Sequence, residues 1–188
     1  MAMNALTLLK QDHNNVDQLF SRFEQSDDPI EKRQIVDKVT EHLSVHAVIE
    51  EEFVYPAARK AIEEATGLVL EALEEHHLVK VTLWELEKMA PTDERFDAKM
   101  TVLIESVRHH VEEEENELFP QIREAMTQEE LDELGTTLEN AKLTAPTRPH
   151  PLAPDTPPLN MIVGLPVAVL DAVITTGKEA LGKVLNRR

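Results

Sequence analysis

The chain has 188 residues, 5 glycines, 4% aromatic residues and a formal net charge of −17. This composition favours helices over sheets, and the acidic charge repels nucleic acid, so we expect no nucleic-acid partner. Because the chain has no cysteine, disulfides, iron–sulfur clusters and thiol catalysis are excluded. A metal ion would therefore be held by histidine, carboxylate or water ligands.

Apolar residues recur at helical spacing along most of the chain, which predicts an all-α fold. Five helices are expected, over residues 5–25, 30–55, 68–89, 93–119 and, as a short extra helix, 128–142. Pro56 and Pro120 are expected to end or kink the second and fourth helices, and Gly67 to separate the second from the third. Four long helices with short connections predict an antiparallel up-down four-helix bundle.

The segment after the bundle differs in composition from residues 1–142. Residues 143–160 are rich in proline and are expected to form an extended linker. Residues 161–188 are expected to form an apolar-faced accessory helix, too short and interrupted for a membrane span. We expect this helix to dock on the bundle or to mediate a homodimer. The first residues lack the features of a signal peptide, so the expected location is the cytoplasm.

Two predicted helices carry the same motif. Glu50 follows His46 by four residues and Glu114 follows His110 by four, and in both segments an aromatic residue and a proline follow the histidine by nine and ten. Residues four apart on a helix lie about one turn apart on the same face. A histidine and a glutamate at this spacing can therefore bind one ion together.

The other two helices repeat a shorter motif, an acidic residue followed by a histidine inside an apolar stripe. Unpaired polar groups in such a stripe are costly, and a shared ion removes that cost. The expected metal ligands come from all four helices and are His13, His46, Glu50, His76, His110 and Glu114. Imidazole and carboxylate ligands without thiolate suit iron, with manganese and zinc as alternatives.

In this order and spacing, the motifs resemble the hemerythrin-like family, specifically its HHE cation-binding domain, over residues 4–125. The resemblance implies a non-haem iron pair in the bundle, with Glu50 and Glu114 as bridging ligands. It also implies a small ligand, namely dioxygen, peroxide or nitric oxide.

The chain departs from the oxygen-carrying members of that family. Their third helix has two histidines four apart, whereas Lys80 follows His76 here; their fourth helix has an aspartate five residues after its histidine, whereas Glu114 follows His110 by four. A more open site favours reaction, such as catalase-like peroxide decomposition in stress defence, over simple oxygen carriage. The alternative is an iron- or oxygen-responsive sensor or interaction module in which the metal orders the bundle and the C-terminal helix.

Several residues near the motifs have two interpretations. His76 is preferred to His77 as the ligand, because an acidic residue precedes it as one precedes His13. His42 is expected to pack beside the site. Tyr55 is expected to close the bundle end as an aromatic plug, the alternative being a hydrogen bond near the metal ions. Lys80 is expected to extend to solvent, the alternative being an inward position that places a cation beside bound peroxide.

Overall fold

The structure, a computed structural model, describes residues 3–151, and within that range every regular element is helical. The predicted accessory helix over 161–188 lies outside the described residues, as does the second half of the predicted linker, residues 152–160. The seven α-helices are α1 Ala5–Gln25, α2 Pro29–Ile49, α3 Tyr55–Ala61, α4 Thr66–Lys88, α5 Phe96–Glu113, α6 Phe119–Ala125 and α7 Gln128–Lys142. The 3₁₀ turn Glu63–Ala65 leads directly into α4, so Gly67 lies inside that helix and separates nothing.

Side-chain caps set several helix ends. The Asn4 side chain accepts a hydrogen bond from the backbone N–H of Leu6 at 2.9 Å and begins α1. Asp28 caps α2 in the same manner. Thr127 and Glu130 form a reciprocal capping box at the start of α7. These caps satisfy backbone N–H groups that have no partner within the helix.

The second and fourth helical segments continue past their prolines, so the prediction that they end there is wrong. A π-helical turn, Glu50–Val54, joins α2 to α3, and a second one, Glu114–Leu118, joins α5 to α6. In an α-helix a proline ring conflicts with the carbonyl group four residues earlier. The wider turn just before each proline relieves this conflict. The first residue of each turn is one of the two predicted glutamate ligands.

The predicted four-helix bundle with an extra helix is confirmed. Its four helical segments are α1, α2 continued by α3, α4, and α5 continued by α6, and contacts of α1 with α2, α4 with α5, α2 with α4 and α1 with α5 close the bundle. Helix α7 lies against α1 and α2. It approaches the N-terminal segment so closely that a Cβ atom at Gly135 would collide with the carbonyl oxygen of Met3.

Two apolar clusters fill the bundle, one on each side of a polar layer. The cluster nearer α7 includes Leu9, Ile49, Tyr55, Phe119 and Leu131. The opposite cluster includes Phe20, Val39, Leu83, Phe96 and Met100. The predicted histidine ligands fall between these clusters on all four helices, so apolar packing holds the polar layer from both sides. Between residues 3 and 151, no helix combines the length and apolar character needed to cross a membrane.

Candidate metal centre

The structure brings the six predicted ligand side chains together in the polar layer, each no more than 6% exposed. The histidines form two pairs. The Nε2 atoms of His13 and His46 lie 3.2 Å apart, and those of His76 and His110 also lie 3.2 Å apart. Each pair combines one histidine from a short motif with one from a His-x-x-x-Glu motif. The two similar halves of the sequence thus build two similar halves of one site.

The two glutamates connect the histidine pairs. Glu50 Oε2 lies 3.1 Å from Nε2 of His46 and 3.4 Å from Nε2 of His76. Glu114 is placed in the same way between the other two histidines, with Oε2 at 3.4 Å and 3.6 Å from their Nε2 atoms. Each carboxylate therefore contacts one histidine of each pair, which is the position of a bridging carboxylate.

Three buried carboxylate oxygens of this layer lack hydrogen-bond partners. Both carboxylate oxygens of Glu50 and Oε2 of Glu114 are fully buried, and none of them has a hydrogen bond in the described part of the chain. A buried carboxylate without compensation is costly, and a cation between the ligands removes that cost. Two sets of ligand atoms lie within 4.8 Å of one another, namely His13 with His46, Glu50 and Glu114, and Glu50 with His76 and His110. The donor set fits iron, manganese or zinc.

The electrostatics of the layer also favour positive charge between these groups. Burial disfavours a charged His46, but the Glu50 carboxylate and the Asp12 side chain outweigh it and raise the pKa of His46 to about 10. Burial likewise opposes charge on His76, and Glu50 with Glu51 raises its pKa to about 9. Burial acts against an ionised Glu50, yet these histidines hold its pKa well below the usual range. Protons and a metal ion thus compete for the same nitrogens.

Each of the four histidines also has a carboxylate beside its other ring nitrogen. The distances from Nδ1 to the nearest carboxylate oxygen are 2.9 Å for His13 and Glu115, 3.6 Å for His46 and Asp12, 2.9 Å for His76 and Glu51, and 2.7 Å for His110 and Glu75. Such partners fix the ring orientation and the tautomer of a metal-binding histidine. They leave all four Nε2 atoms directed at the centre of the layer.

Sequence reasoning assigned no role to these outer carboxylates, although their positions contain a signal. Asp12 and Glu75 directly precede a predicted histidine ligand, and Glu51 and Glu115 directly follow a predicted glutamate ligand. On a helix, neighbours in sequence point about 100° apart. Each outer carboxylate therefore contacts a histidine on another helix, which spacing within one helix does not reveal.

Residues 4–122 match the family model of the Hemerythrin HHE cation binding domain. The chain belongs to this family. The resemblance found in the sequence is thereby confirmed. The HHE domain match covers all four bundle segments and all six predicted ligands.

Two curated relatives share this HHE domain. An uncharacterized hemerythrin-like protein of Schizosaccharomyces pombe is 33% identical over 130 residues, which cover 69% of this chain and 64% of the relative. A DNA nickase of Nostoc sp. is 31% identical over 140 residues, which cover 74% of this chain and 39% of the relative. The chain thus spans less than two thirds of the length of either relative.

A solved structure has the same HHE fold. The crystal structure of a Hemerythrin HHE cation binding domain-containing protein from Mycobacterium kansasii is 25% identical, with a TM-score of 0.65. The match covers 75% of this chain and 86% of that chain.

The structure also shows where the residues with two interpretations in the sequence lie. His76 is in the cluster, whereas His77 is only half-buried and lies outside it. His42 is exposed, so the expectation that it packs beside the site is wrong. Lys80 is also not directed at solvent: it is 8% exposed and its Nζ atom lies 2.7 Å from Glu51 Oε1. A buried carboxylate on the neighbouring helical segment attracts this ammonium group inward.

Tyr55 takes both roles that the sequence suggested. It is 1% exposed among apolar side chains, and its hydroxyl donates a hydrogen bond to Glu114 Oε1 at 2.9 Å. The same hydroxyl lies 3.2 Å from His76 Nε2. Burial and the nearby Glu114 carboxylate raise the pKa of Tyr55 well above its usual value, so the phenol keeps its proton. In the other half of the repeat Phe119 stands at this position and stacks on His13.

A cavity of about 220 Å³ adjoins the four histidines. Its other walls are largely apolar and include Val16, Phe20, Leu43, Val79, Val107 and Val111, whereas neither Glu50 nor Glu114 lines it. The cavity therefore lies on the side of the histidines away from the Glu50 and Glu114 carboxylates. It gives a small uncharged molecule room beside the Nε2 atoms.

Proposed function

We propose that this HHE domain holds a pair of non-haem iron ions and binds or reacts with dioxygen, peroxide or nitric oxide. The proposed ligands are His13, His46, His76 and His110, with Glu50 and Glu114 as bridging carboxylates. The single observation that supports this most is the set of partnerless buried carboxylate oxygens between two facing imidazole pairs. Manganese or zinc is the alternative cofactor.

Iron bound at this position would supply redox chemistry, and the protein residues supply geometry and surroundings. The outer carboxylates hold the imidazole rings with Nε2 directed inward. The Tyr55 hydroxyl holds one oxygen of Glu114, which leaves Oε2 of that carboxylate for the ion. The apolar walls of the 220 Å³ cavity favour a small uncharged ligand over bulk water.

Metal analysis of the full chain, purified without a histidine tag and loaded with ferrous iron, tests the proposal. We expect two iron ions per chain, visible absorption that develops when air oxidises the ferrous ions to ferric ions, and oxygen evolution after peroxide is added. Substitution of His46 and His110 by alanine should remove most of the metal, whereas the exposed His42→Ala control should retain it. Failure to bind iron would refute the site. An iron-loaded protein inert to all three small molecules would refute the reactivity.

A second candidate function, a metal-responsive sensor or interaction module, is favoured by a chain of contacts. Lys142, the last residue of α7, lies 2.6 Å from Asp12 Oδ1, and Asp12 Oδ2 lies 3.6 Å from His46 Nδ1. A change at His46 is thus two contacts from the point where the proline-rich segment begins. Limited proteolysis of metal-free and metal-loaded protein tests this candidate. Identical cleavage after residue 142 in both states would contradict it.

Nucleic acid is not part of our proposal, although one relative is named a DNA nickase. That relative is more than twice as long as the shared region, which covers 39% of it, and the net charge of −17 opposes contact with phosphates. We expect the metal-loaded protein to leave supercoiled plasmid intact. Appearance of nicked circles that chelator abolishes would contradict this expectation.

A further inference from the structure

A second group of metal-binding side chains lies outside the buried centre, on α4 and α5. One ligand atom each from Glu75, His109 and Glu113 lies within 4.8 Å of the others. His109 Nε2 is 3.4 Å from Glu113 Oε1, one turn along the same helix. His109 is exposed, and both glutamates are half-buried. One imidazole and two carboxylates form a donor set suited to a divalent transition metal.

We propose that Glu75, His109 and Glu113 form a peripheral divalent-cation site through which metal ions reach the buried centre. The route rests on the function proposed above, because it requires a metal centre to load. Glu75 connects the two places directly, since its Oε2 atom lies 2.7 Å from Nδ1 of His110, a proposed ligand. An ion at the peripheral site is therefore one side chain away from the centre.

A small cavity leads inward from this cluster. It measures about 10 Å³, close to the space of one water molecule. Its polar walls are Glu71, Glu75, Glu113, His110 and Glu114. The cavity thus contacts Glu75 and Glu113 of the peripheral cluster and His110 and Glu114 of the proposed buried centre. Their side-chain oxygen and nitrogen atoms line the space between the two sites. A partly dehydrated cation needs such polar contacts to move through a protein interior.

The charges around the cluster also favour cations. In the part of the chain that the structure describes, Glu71, Glu75 and Glu113 make no ion pair with a lysine or arginine. The acidic groups around the larger, 220 Å³ cavity are all paired, namely Asp12 with Lys142, Asp17 with Arg108 and Glu115 with Lys10. Carboxylates without basic partners raise the local concentration of cations. Cations are therefore drawn to α4 and α5, and neutral molecules to the apolar cavity.

The internal repeat shows that this cluster belongs to one half of the molecule. His109 and Glu113 correspond to Val45 and Ile49 of the first half, if His110 is matched with His46. Ile49 is fully buried in the apolar cluster that includes residues of α7. Exposure alone explains why position 113 is polar. Exposure does not explain why His109 and Glu113, one turn apart on α5, lie close to a third possible metal ligand, Glu75, on α4.

The rate of metal loading tests the route. Metal-free full-length protein is mixed anaerobically with ferrous ion, or with Co²⁺ as a visible probe, and uptake into the centre is followed by stopped-flow absorption. The double variant His109→Ala, Glu113→Gln should load about tenfold more slowly, as expected for the loss of an electrostatic guide. The amount of metal in its buried centre, read from the final absorption, should equal that of the wild type, since neither residue lies in the buried layer.

A matched control removes the same two groups elsewhere. The double variant His42→Ala, Glu112→Gln loses one imidazole and one carboxylate from exposed positions, and it should load at the wild-type rate. Equal rates for the two double variants would overturn the route. A lower final amount of metal in the buried centre of the first variant alone would also overturn it, because those residues would then belong to the centre. A wild-type protein that takes up no metal would instead refute the proposed function.

In a second measurement, Mn²⁺ is titrated into the His46→Ala, His110→Ala variant and followed by electron paramagnetic resonance. One weakly bound ion per chain is expected. Adding the His109→Ala and Glu113→Gln changes should abolish that binding. Persistence of the same weak binding would overturn the assignment of the peripheral site to these residues.

Discussion

Glu51 and Glu115 hold equivalent places in the two halves of the repeat but differ in exposure, and this difference predicts unequal effects on metal affinity. Each directly follows a glutamate that we propose as a bridging ligand, and lies 2.9 Å from the Nδ1 atom of a histidine, His76 for Glu51 and His13 for Glu115. The side chain of Glu51 is 1% exposed, whereas that of Glu115 is 28% exposed. Solvent therefore screens the charge of Glu115 far more than that of Glu51.

Replacement of either residue by glutamine keeps the size of the side chain and removes its charge. Loss of the carboxylate beside a metal-binding histidine lowers metal affinity by about 10- to 100-fold, or about 1.4–2.8 kcal/mol. Because of the difference in screening, we expect Glu51→Gln near the upper end of this range and Glu115→Gln near the lower end. Equilibrium dialysis against buffered ferrous ion, followed by metal analysis, measures both affinities. Circular dichroism establishes that each variant remains helical.

Equal losses in the two variants would refute the screening argument. Unchanged affinity in both would refute the more basic claim that these carboxylates support metal ligands. A larger loss for Glu115→Gln than for Glu51→Gln would show that exposure is the wrong measure of their electrostatic effect.

Three further predictions concern the site and the packing around it. Free metal at about 100 times its Kd should raise the free energy of unfolding of the wild type by about 2.7 kcal/mol. Thermal melts of the His46→Ala, His110→Ala variant should show no such stabilisation on adding metal. The full stabilisation in this variant would contradict the ligand assignment. The fold raises the pKa of His46 from 6.5 to about 10, so protonated His46 stabilises the metal-free fold below pH 6.5, and this stabilisation is lost as pH rises toward 10. Metal binding changes in the opposite direction, because it requires the histidine to lose its proton and therefore strengthens as pH rises. The increase in Tm on adding metal should therefore grow between pH 6.5 and 8.5, and a constant or shrinking increase would contradict this competition. Gly135→Ala should lower the free energy of unfolding in urea by about 1–3 kcal/mol, because the new Cβ collides with Met3. The control Gly67→Ala places its Cβ where no other atom lies within 4 Å, so it should be neutral or raise the free energy of unfolding by up to about 1 kcal/mol. Equal effects of the two substitutions would count against the close approach of α7 to the N-terminal segment.

The helices and the convergence of the six side chains were predictable because both follow from periodicity. Apolar spacing predicted α1 with its observed bounds, Ala5–Gln25. The aromatic residue and the proline nine and ten residues after the histidine match His110, and not the adjacent His109, with His46. The structure places His110 in the cluster and His109 at the surface. Local spacing is enough for such conclusions, since residues four apart on a helix share a face.

The π-helical turns and the outer carboxylates were not predictable from the same rules. Proline is normally treated as a helix breaker, but before Pro56 and Pro120 an extra residue in the turn lets the helix continue. Whether a helix ends or widens at a proline depends on what packs against it. Here Tyr55 and Phe119, the residues before the prolines, are buried in the bundle and hold the following segments in place. Such tertiary contacts are not visible in the spacing of one helix.

The duplicated plan of the polar layer explains both its symmetry and the differences between its halves. Each half supplies two histidines, one of the two central glutamates and two outer carboxylates, so the two halves offer the same set of side chains. Their surroundings differ. Helix α7 packs against α1 and α2 and ties Asp12 to Lys142, whereas Glu75, the counterpart of Asp12, faces the half-exposed Glu113 and the exposed His109. The two halves of the proposed centre thus have different access to solvent. If the centre holds two ions, as we propose, we expect them to differ in loading rate and in affinity because of this asymmetry.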